Sequence, residues 1–423
     1  MAEFNGKLVL TPTQVRLLTE RTAGPGPRPL VVALELDGPV DADRLDEAWQ
    51  EVQRRHPFLR LRLDSSRPYA SDDVRPLVRG DIPGARQSYQ TDLARILAAA
   101  TRPRDFSVEG PAEGVLIRTG PEASTLVCSI DHLAIDGWSF NMLAREWSAL
   151  YNGKSLPPPI DPLPVIEKYN EAQHNSLEKE IRELREEFEG AEPFALPHSM
   201  ADWALQEVEL PRDVAIDTRR AAAKKRSTAF AFVLAALGRA LTINHGTQDV
   251  IVSTHVANRV VPQSESVVCA AYNTVPIRLS AACRDDINCW IAKAKEASLR
   301  ALRRQHVPFA LVHQVLAPRI SREALSRVML TVDEHPFIGF VLPGVRVSEA
   351  AISDLKRLAE GPNAPLFSTS SRPWPAGITV SFRETWESLQ LYVHYGQELG
   401  HRGATMLLGR VTEGLALLTD SNN

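Results

Sequence analysis

Apolar positions recur along this chain at two spacings, and the change from one to the other marks the elements. In "DADRLDEAWQEVQRRHPFLRLRL", Asp41 or Asp43 is placed to cap a helix whose inner face carries Leu45, Ala48 (or Trp49) and Val52. Pro57 ends that helix, and "FLRLRL" then alternates with period two, which predicts a half-buried strand. "TDLARILAAATRP" predicts a helix, and "AEGVLIRTG" and "STLVCSI" predict strands joined by the turn "GPEAS". "WSFNMLAREWSALYNG" has helical periodicity ending near Gly153. Five prolines follow within the twelve residues "GKSLPPPIDPLP", a composition that suits an exposed linker. The expected boundary lies there, between a lobe over 1–160 and a lobe over 161–423.

The second lobe repeats the mixture. "EKYNEAQHNSLEKEIRELREEFEG" predicts a charged, solvated helix, and "STAFAFVLAALGRALTINHG" an apolar one capped by Ser227 or Thr228. "DVIVSTHV", "TVPIRLS", "SRVMLTV", "GITVSFRE" and "LQLYVHYG" predict strands, with helices at "CWIAKAKEASLRALRRQ" and "GATMLLGRVTEGLALL". Both halves are therefore expected to be α/β layered units. No repeat at a period of roughly 20 to 50 residues is visible.

A chain of 423 residues exceeds one compact core and points to roughly two or three domains. The formal charge, 48 − 52 = −4, offers no basic surplus for phosphates, so nucleic acid is not an expected partner. No run of about eighteen apolar residues predicts a membrane span. The start "MAEFNGKLVLTPTQ" lacks the basic and apolar blocks of a signal peptide, so the expected compartment is the cytoplasm. Cys128, Cys269, Cys283 and Cys289 form no CxxC pair and are expected to be buried thiols without a disulfide framework.

Candidate chemistry gathers in "CSIDHLAIDGWSF", residues 128–140, between a buried strand and a helix. It is a catalytic turn or a polar turn with a helix cap, and spacing alone leaves both open. His132 follows an apolar run and precedes a glycine-containing turn, where a neutral imidazole can take a proton from a nucleophile. Asp136 in a buried turn needs its own cation, and Arg60 or Arg62 is the expected source. His132 and Asp136 would share a helix face for metal binding only if both were helical; Gly137 argues against that, and no third ligand is apparent. The sequence holds no G-x-S-x-G elbow, glycine-rich phosphate loop or H-E-x-x-H site.

"DHLAIDGWS" resembles the H-H-x-x-x-D-G motif of nonribosomal peptide synthetase condensation domains and their chloramphenicol acetyltransferase-like, H-x-x-x-D acyltransferase relatives. Further segments resemble family segments in family order: "LTPTQVRLL", "RRHPFLRLRL", "DVIVSTHVANR" with "YNTVPIRL", and "QHVPFALVHQVLAP". The resemblance implies two chloramphenicol acetyltransferase-like lobes in a V, with a tunnel between them. A donor thioester on a carrier protein's phosphopantetheine arm would enter from one side and an amine or alcohol acceptor from the other. On this resemblance His132 is the general base or positioning residue, and Asp136 is a structural acid paired with Arg60. Gly137 allows close backbone approach and offers an N–H to the oxyanion, and Asn273 matches a tunnel-lining asparagine. Trp138 and Ser139 complete the motif as supporting residues.

Two departures matter. Asp131 stands where the family has its first histidine, and "LFSTSSRPWPAGITVSF", with Trp374, replaces the family's late D-F-G-W segment. Asp131, Asp136 and Ser139 also spell the heterocyclization signature D-x-x-x-x-D-x-x-S, although that class lacks the histidine retained here. The resemblance thus implies a stand-alone condensation-type acyltransferase in natural-product biosynthesis. Its phosphopantetheine would belong to an acyl or peptidyl carrier partner, and no metal or cofactor of its own would be needed. The alternative is a catalytically silent member that binds carrier proteins or recruits a partner enzyme.

Overall fold

The computed structural model describes residues 8–23, 29–65, 67–81, 96, 99–100, 102–175, 177–192, 204–280, 283, 286–317, 319–332, 337, 339–349, 377–384, 388–396 and 398–420. The chain forms two compact α/β units, and the first is assembled from Met1–Ala172, Arg259–Tyr272 and His335–Arg372. The expected span 161–423 is therefore not one body, because two later segments return to the first unit.

In the first unit, β1 (Leu30–Asp37) pairs antiparallel with β6 (Ala123–Ile130), which pairs antiparallel with β5 (Ala112–Gly120). β4 (Val78–Asp81) joins β5 in parallel, and β11 (Arg346–Glu349) joins β1 at the other edge, giving the order β11-β1-β6-β5-β4. Leu126, Cys128 and Ile130 of β6 enter the main core, and Val127 joins Ala33 and Ile117 on the opposite face. Burial on both faces explains why "STLVCSI" reads as a nearly continuous apolar run. The core face is covered by α2 (Ala42–Arg55), capped by Asp41 through the Arg44 N–H, and by α3 (Gly137–Tyr151). Their Trp49 and Trp147 rings lie 4.7 Å apart, and Phe337 meets Trp147 edge-on. An N-terminal helix, α1 (Pro12–Ala23), and α4 (Pro162–Asn175) complete the described helices of this unit.

The second unit carries a six-stranded sheet in the order β7-β13-β12-β10-β8-β9. Its strands are β7 (Ala204–Glu209), β8 (Asp249–Val256), β9 (Asn273–Ser280), β10 (Val328–Val332), β12 (Ile378–Glu384) and β13 (Leu389–Tyr395). On one face lie α6 (Arg212–Lys224), α7 (Ala229–His245), α8 (Ile287–Arg303) and α11 (Gly400–Asp420), around Phe232, Trp290 and Leu407. The apolar helix α7 begins at the Thr228 cap and ends at Gly246, whose φ of 61° is the left-handed conformation that glycine adopts without strain. The shorter helices α5 (Leu177–Glu187), α9 (Phe309–Leu316) and α10 (Arg322–Leu325) share a smaller cluster with Ile251.

Three expectations change. "FLRLRL" is not one strand: Pro57–Arg60 is a 3₁₀ turn, and the strand β2 covers only Leu61–Asp64, paired with β3 (Arg67–Ala70). The charged stretch makes two helices, α4 and α5, and α4 starts at Pro162 inside the expected linker, where proline's fixed φ suits a first turn. Cys283 and Cys289 form a disulfide, while Cys128 and Cys269 are buried free thiols. Spacing hid the bridge, because the cysteines sit before and within the first turn of α8 and only the fold brings their Cα atoms to 5.4 Å. The helix expected at "TDLARILAAATRP" lies largely outside the described residues, as does the segment with Trp374.

Candidate active site

The motif occupies the crossing from β6 to α3, wholly within the first unit. β6 ends at Ile130, and the next residues fold into a tight turn. Ala134 N–H donates to Asp131 O at 2.9 Å, and Leu133 N–H donates to Asp131 Oδ1 at 2.9 Å. Gly137 then begins α3 behind its cap Asp136.

His132 is 9 % exposed. Its Nδ1 lies 3.0 Å from Ile135 O. A carbonyl only accepts, so Nδ1 carries the proton and the neutral ring keeps its lone pair on Nε2. Burial pushes the imidazole pKa below its ordinary 6.5, against the opposing pull of the Ile135 carbonyl and the two neighbouring aspartates. The ring is therefore neutral at neutral pH and chemically able to accept a proton at Nε2. Tyr272 packs against it with ring centroids 5.3 Å apart.

Asp136 does different work. Its Oδ1 accepts from Ser139 N–H at 2.9 Å, closing the helix cap, and its Oδ2 accepts from the N–H groups of Ala271 and Tyr272 at 2.9 and 3.1 Å. Arg259 donates to both oxygens at 2.8 and 2.9 Å. The two side chains are 5 % and 3 % exposed. Burial is the largest single influence and works against the Arg259 charge, but Asp136 together with Cys269 and Tyr169 outweighs it and raises the guanidinium pKa. A carboxylate with all these donors is an anchor rather than a relay to His132.

The expected Asp136–Arg60 pair does not form. Arg60 ends the 3₁₀ turn and donates to the carbonyls of Gln53 and Ser71, and Arg62 is buried and donates to the Leu61 carbonyl. The cation comes instead from Arg259, which ends the quoted segment "DVIVSTHVANR". That arginine was in view in the sequence, but its separation of 123 positions from Asp136 carries no spacing signal.

Ser139 is fully buried; its hydroxyl donates to Cys269 O and accepts from Cys269 N–H, at 2.9 and 3.1 Å. Trp138 is 44 % exposed, held by its Nε1–H to Glu265 O at 3.0 Å. Gly137 is exposed, and a Cβ built on it would meet nothing within 4 Å. The N–H groups of Gly137 and Trp138 open a helix and have no hydrogen-bond partner among the described residues, as the first N–H groups of a helix lack an intrahelical acceptor. Asn273 belongs to the second unit, where its Nδ2 donates to Gln305 O and Val307 O and its Oδ1 accepts from Phe309 N–H. Those bonds make it a structural clasp between β9 and the start of α9. Among the described residues no group of histidine, cysteine and acidic side chains is arranged to hold a metal ion.

Sequence reasoning missed the role of α1. Gln14 Nε2 donates to Leu133 O at 2.8 Å, Arg16 donates to the Tyr272 hydroxyl at 3.1 Å, and Arg21 donates to Asp131 at 2.5 Å. The segment "LTPTQVRLL" carried no signal for this beyond its polar residues at helical spacing.

A model of the Condensation domain family matches residues 5–338. Enniatin synthase of Fusarium equiseti is 24 % identical over 337 residues, covering 74 % of this chain and 11 % of the synthase. The chain thus spans about a tenth of that relative's length. Among solved structures, the condensation domain of the Monacolin K polyketide synthase MokA superposes with a TM-score of 0.80 at 14 % identity, covering 98 % of each chain. The X-domain from teicoplanin biosynthesis superposes with a TM-score of 0.78 at 19 % identity, covering 98 % of this chain and 97 % of the other. Among the described residues no single helix is long and apolar enough to cross a membrane.

Proposed function

The chain belongs to the Condensation domain family, and from that premise we propose that it is a cytoplasmic acyltransferase joining a carrier-tethered acyl or aminoacyl thioester to an amine or alcohol. The observation that carries this reading is the state of His132: a buried neutral imidazole, proton fixed on Nδ1 and lone pair on Nε2, in the turn that leads into α3.

In the proposed step the acceptor nitrogen or oxygen attacks the thioester carbonyl carbon while His132 Nε2 takes its proton. The carbonyl π electrons move onto oxygen, and the oxyanion would lie toward the Gly137 N–H at the positive end of α3. Collapse re-forms the carbonyl, breaks the carbon–sulfur bond and expels the thiolate of the carrier's phosphopantetheine arm. The imidazolium returns its proton to that sulfur. No oxidant, reductant or metal enters the balance. Asp136 and Arg259 keep the turn in place throughout.

One observation favours a second reading, a module that recruits a partner. The teicoplanin X-domain, similar in fold, has also been solved as a complex with OxyB. The test is intact-protein mass spectrometry of an acyl-loaded carrier protein with a panel of amines and alcohols, using wild type and His132→Ala. The proposal predicts loss of the acyl group from the carrier with matching product, reduced at least about 100-fold in the variant. Equal behaviour of the two proteins, with carrier binding retained by both, would overturn it in favour of recruitment.

A further inference from the structure

Asp131 is fully buried, and its carboxylate is held on both oxygens. Oδ1 closes the turn through the Leu133 N–H, and Oδ2 accepts from Arg21 of α1 at 2.5 Å. Arg21 is itself held: it donates to Arg104 O at 3.1 Å and lies over the Phe106 ring at 4.5 Å. On the other side of His132, the Leu133 carbonyl is held by Gln14, a fully buried residue whose Oε1 accepts from the Thr11 N–H. One helix therefore grips the residue before the imidazole and the residue after it.

We propose that Asp131 and Arg21 act as one positioning unit for His132: the ion pair fixes the 131–135 turn on α1, so that Ile135 O holds the Nδ1 proton and Nε2 stays free. This rests on His132 being the base and assigns a role to the residue that departs from the family pattern. The geometry supports it in two ways. The turn that carries Ile135 is closed by Asp131 through both its side chain and its carbonyl, so losing the carboxylate frees the acceptor of the imidazole proton. Burial raises the Asp131 pKa and Arg21 is the largest opposing influence, so removing Arg21 raises it further and favours the protonated carboxyl.

The charged and titratable groups facing His132 are Asp131 and Asp136 on its own turn, Arg16 from α1, and Tyr272 from the returning segment. Those facing Asp131 are Arg21, Arg104 and His132. Asp131 raises the His132 pKa, so neutralising it must lower that value. The pair makes a distinctive prediction. Arg21→Met removes a cation, which on simple charge grounds would raise the His132 pKa. If Arg21 serves to keep Asp131 ionised, the variant lowers it instead, as Asp131→Asn does.

The experiment is a pH titration of ¹⁵N-histidine-labelled full-length protein by NMR, with His132 assigned from the spectrum of His132→Gln. Expected results are an Nδ1–H tautomer in wild type, and a His132 pKa lowered by about half a unit or more in Asp131→Asn and in Arg21→Met. The double variant should go no further, and the tautomer should become mixed in all three. Arg21→Lys keeps the cation and should restore wild-type values, which separates positioning from general loss of fold. His56, hydrogen-bonded to Glu146 in the same unit, reports folding in every spectrum. An unchanged pKa and tautomer, or a pKa raised by Arg21→Met, would overturn the inference. Because the readout needs no substrate, failure of acyl transfer in wild type would sink the functional reading while leaving this result standing.

Discussion

His132 and Asp136 share one turn but have opposite surroundings. The imidazole has one ring nitrogen tied to a carbonyl and the other available; the carboxylate has both oxygens saturated by backbone N–H groups and Arg259. A buried ion pair is most costly when half of it is removed, because the survivor stays buried without its counter-charge. Arg259→Met should therefore lower stability by about 3 kcal/mol and abolish turnover. Arg60→Met, which breaks only bonds to carbonyls, should cost about 1 kcal/mol. Thermal unfolding of the two variants decides, and equal losses would contradict the assigned pairing. The acid and the imidazole were legible in the sequence because they are four positions apart in a family-like motif. Their supports were not, because Arg259, Tyr272 and Arg21 arrive from segments that only tertiary packing brings near.

At the scale of elements, the strand-turn-helix that carries the site was readable from periodicity, since β5, β6 and α3 fall where the apolar pattern changes. "FLRLRL" misled for a physical reason. Phe58, Leu59 and Leu61 are all buried, a pattern that alternation cannot produce, and Pro57 favours the first position of a helical turn. The glycine that opens α3 is exposed. Its Cβ would meet no atom of the described residues within 4 Å, so Gly137→Ala should leave the melting temperature within about 2 °C of wild type. If the open space belongs to substrate, the same variant should lose at least about tenfold in turnover. A stable variant with full activity would remove Gly137 from the proposed mechanism.

Over the whole molecule, the sequence showed two α/β units but not how the chain is shared between them. The proline-rich stretch looked like a boundary, yet the first unit continues to Ala172 and takes back Arg259–Tyr272 and His335–Arg372. Those returns supply Arg259, the Ala271 and Tyr272 N–H donors to Asp136, and the Phe337 and Phe340 rings of the core. A fragment ending at residue 172 would leave Asp136 buried without its cation, so it should not fold; a cooperative melt by circular dichroism would contradict this.

Whether a neutral buried His132 moves the acceptor proton is read from the pH dependence of single-turnover acyl transfer, wild type and His132→Ala in parallel. Burial lowers the His132 pKa, so its lone pair persists as pH falls below 6.5 and is lost only on passing the depressed value. The rate should be flat through pH 6.5 and fall on the acid side with a single-proton slope, with no such limb in the variant. A limb centred at or above 6.5, or one that survives in His132→Ala, would contradict that role for His132.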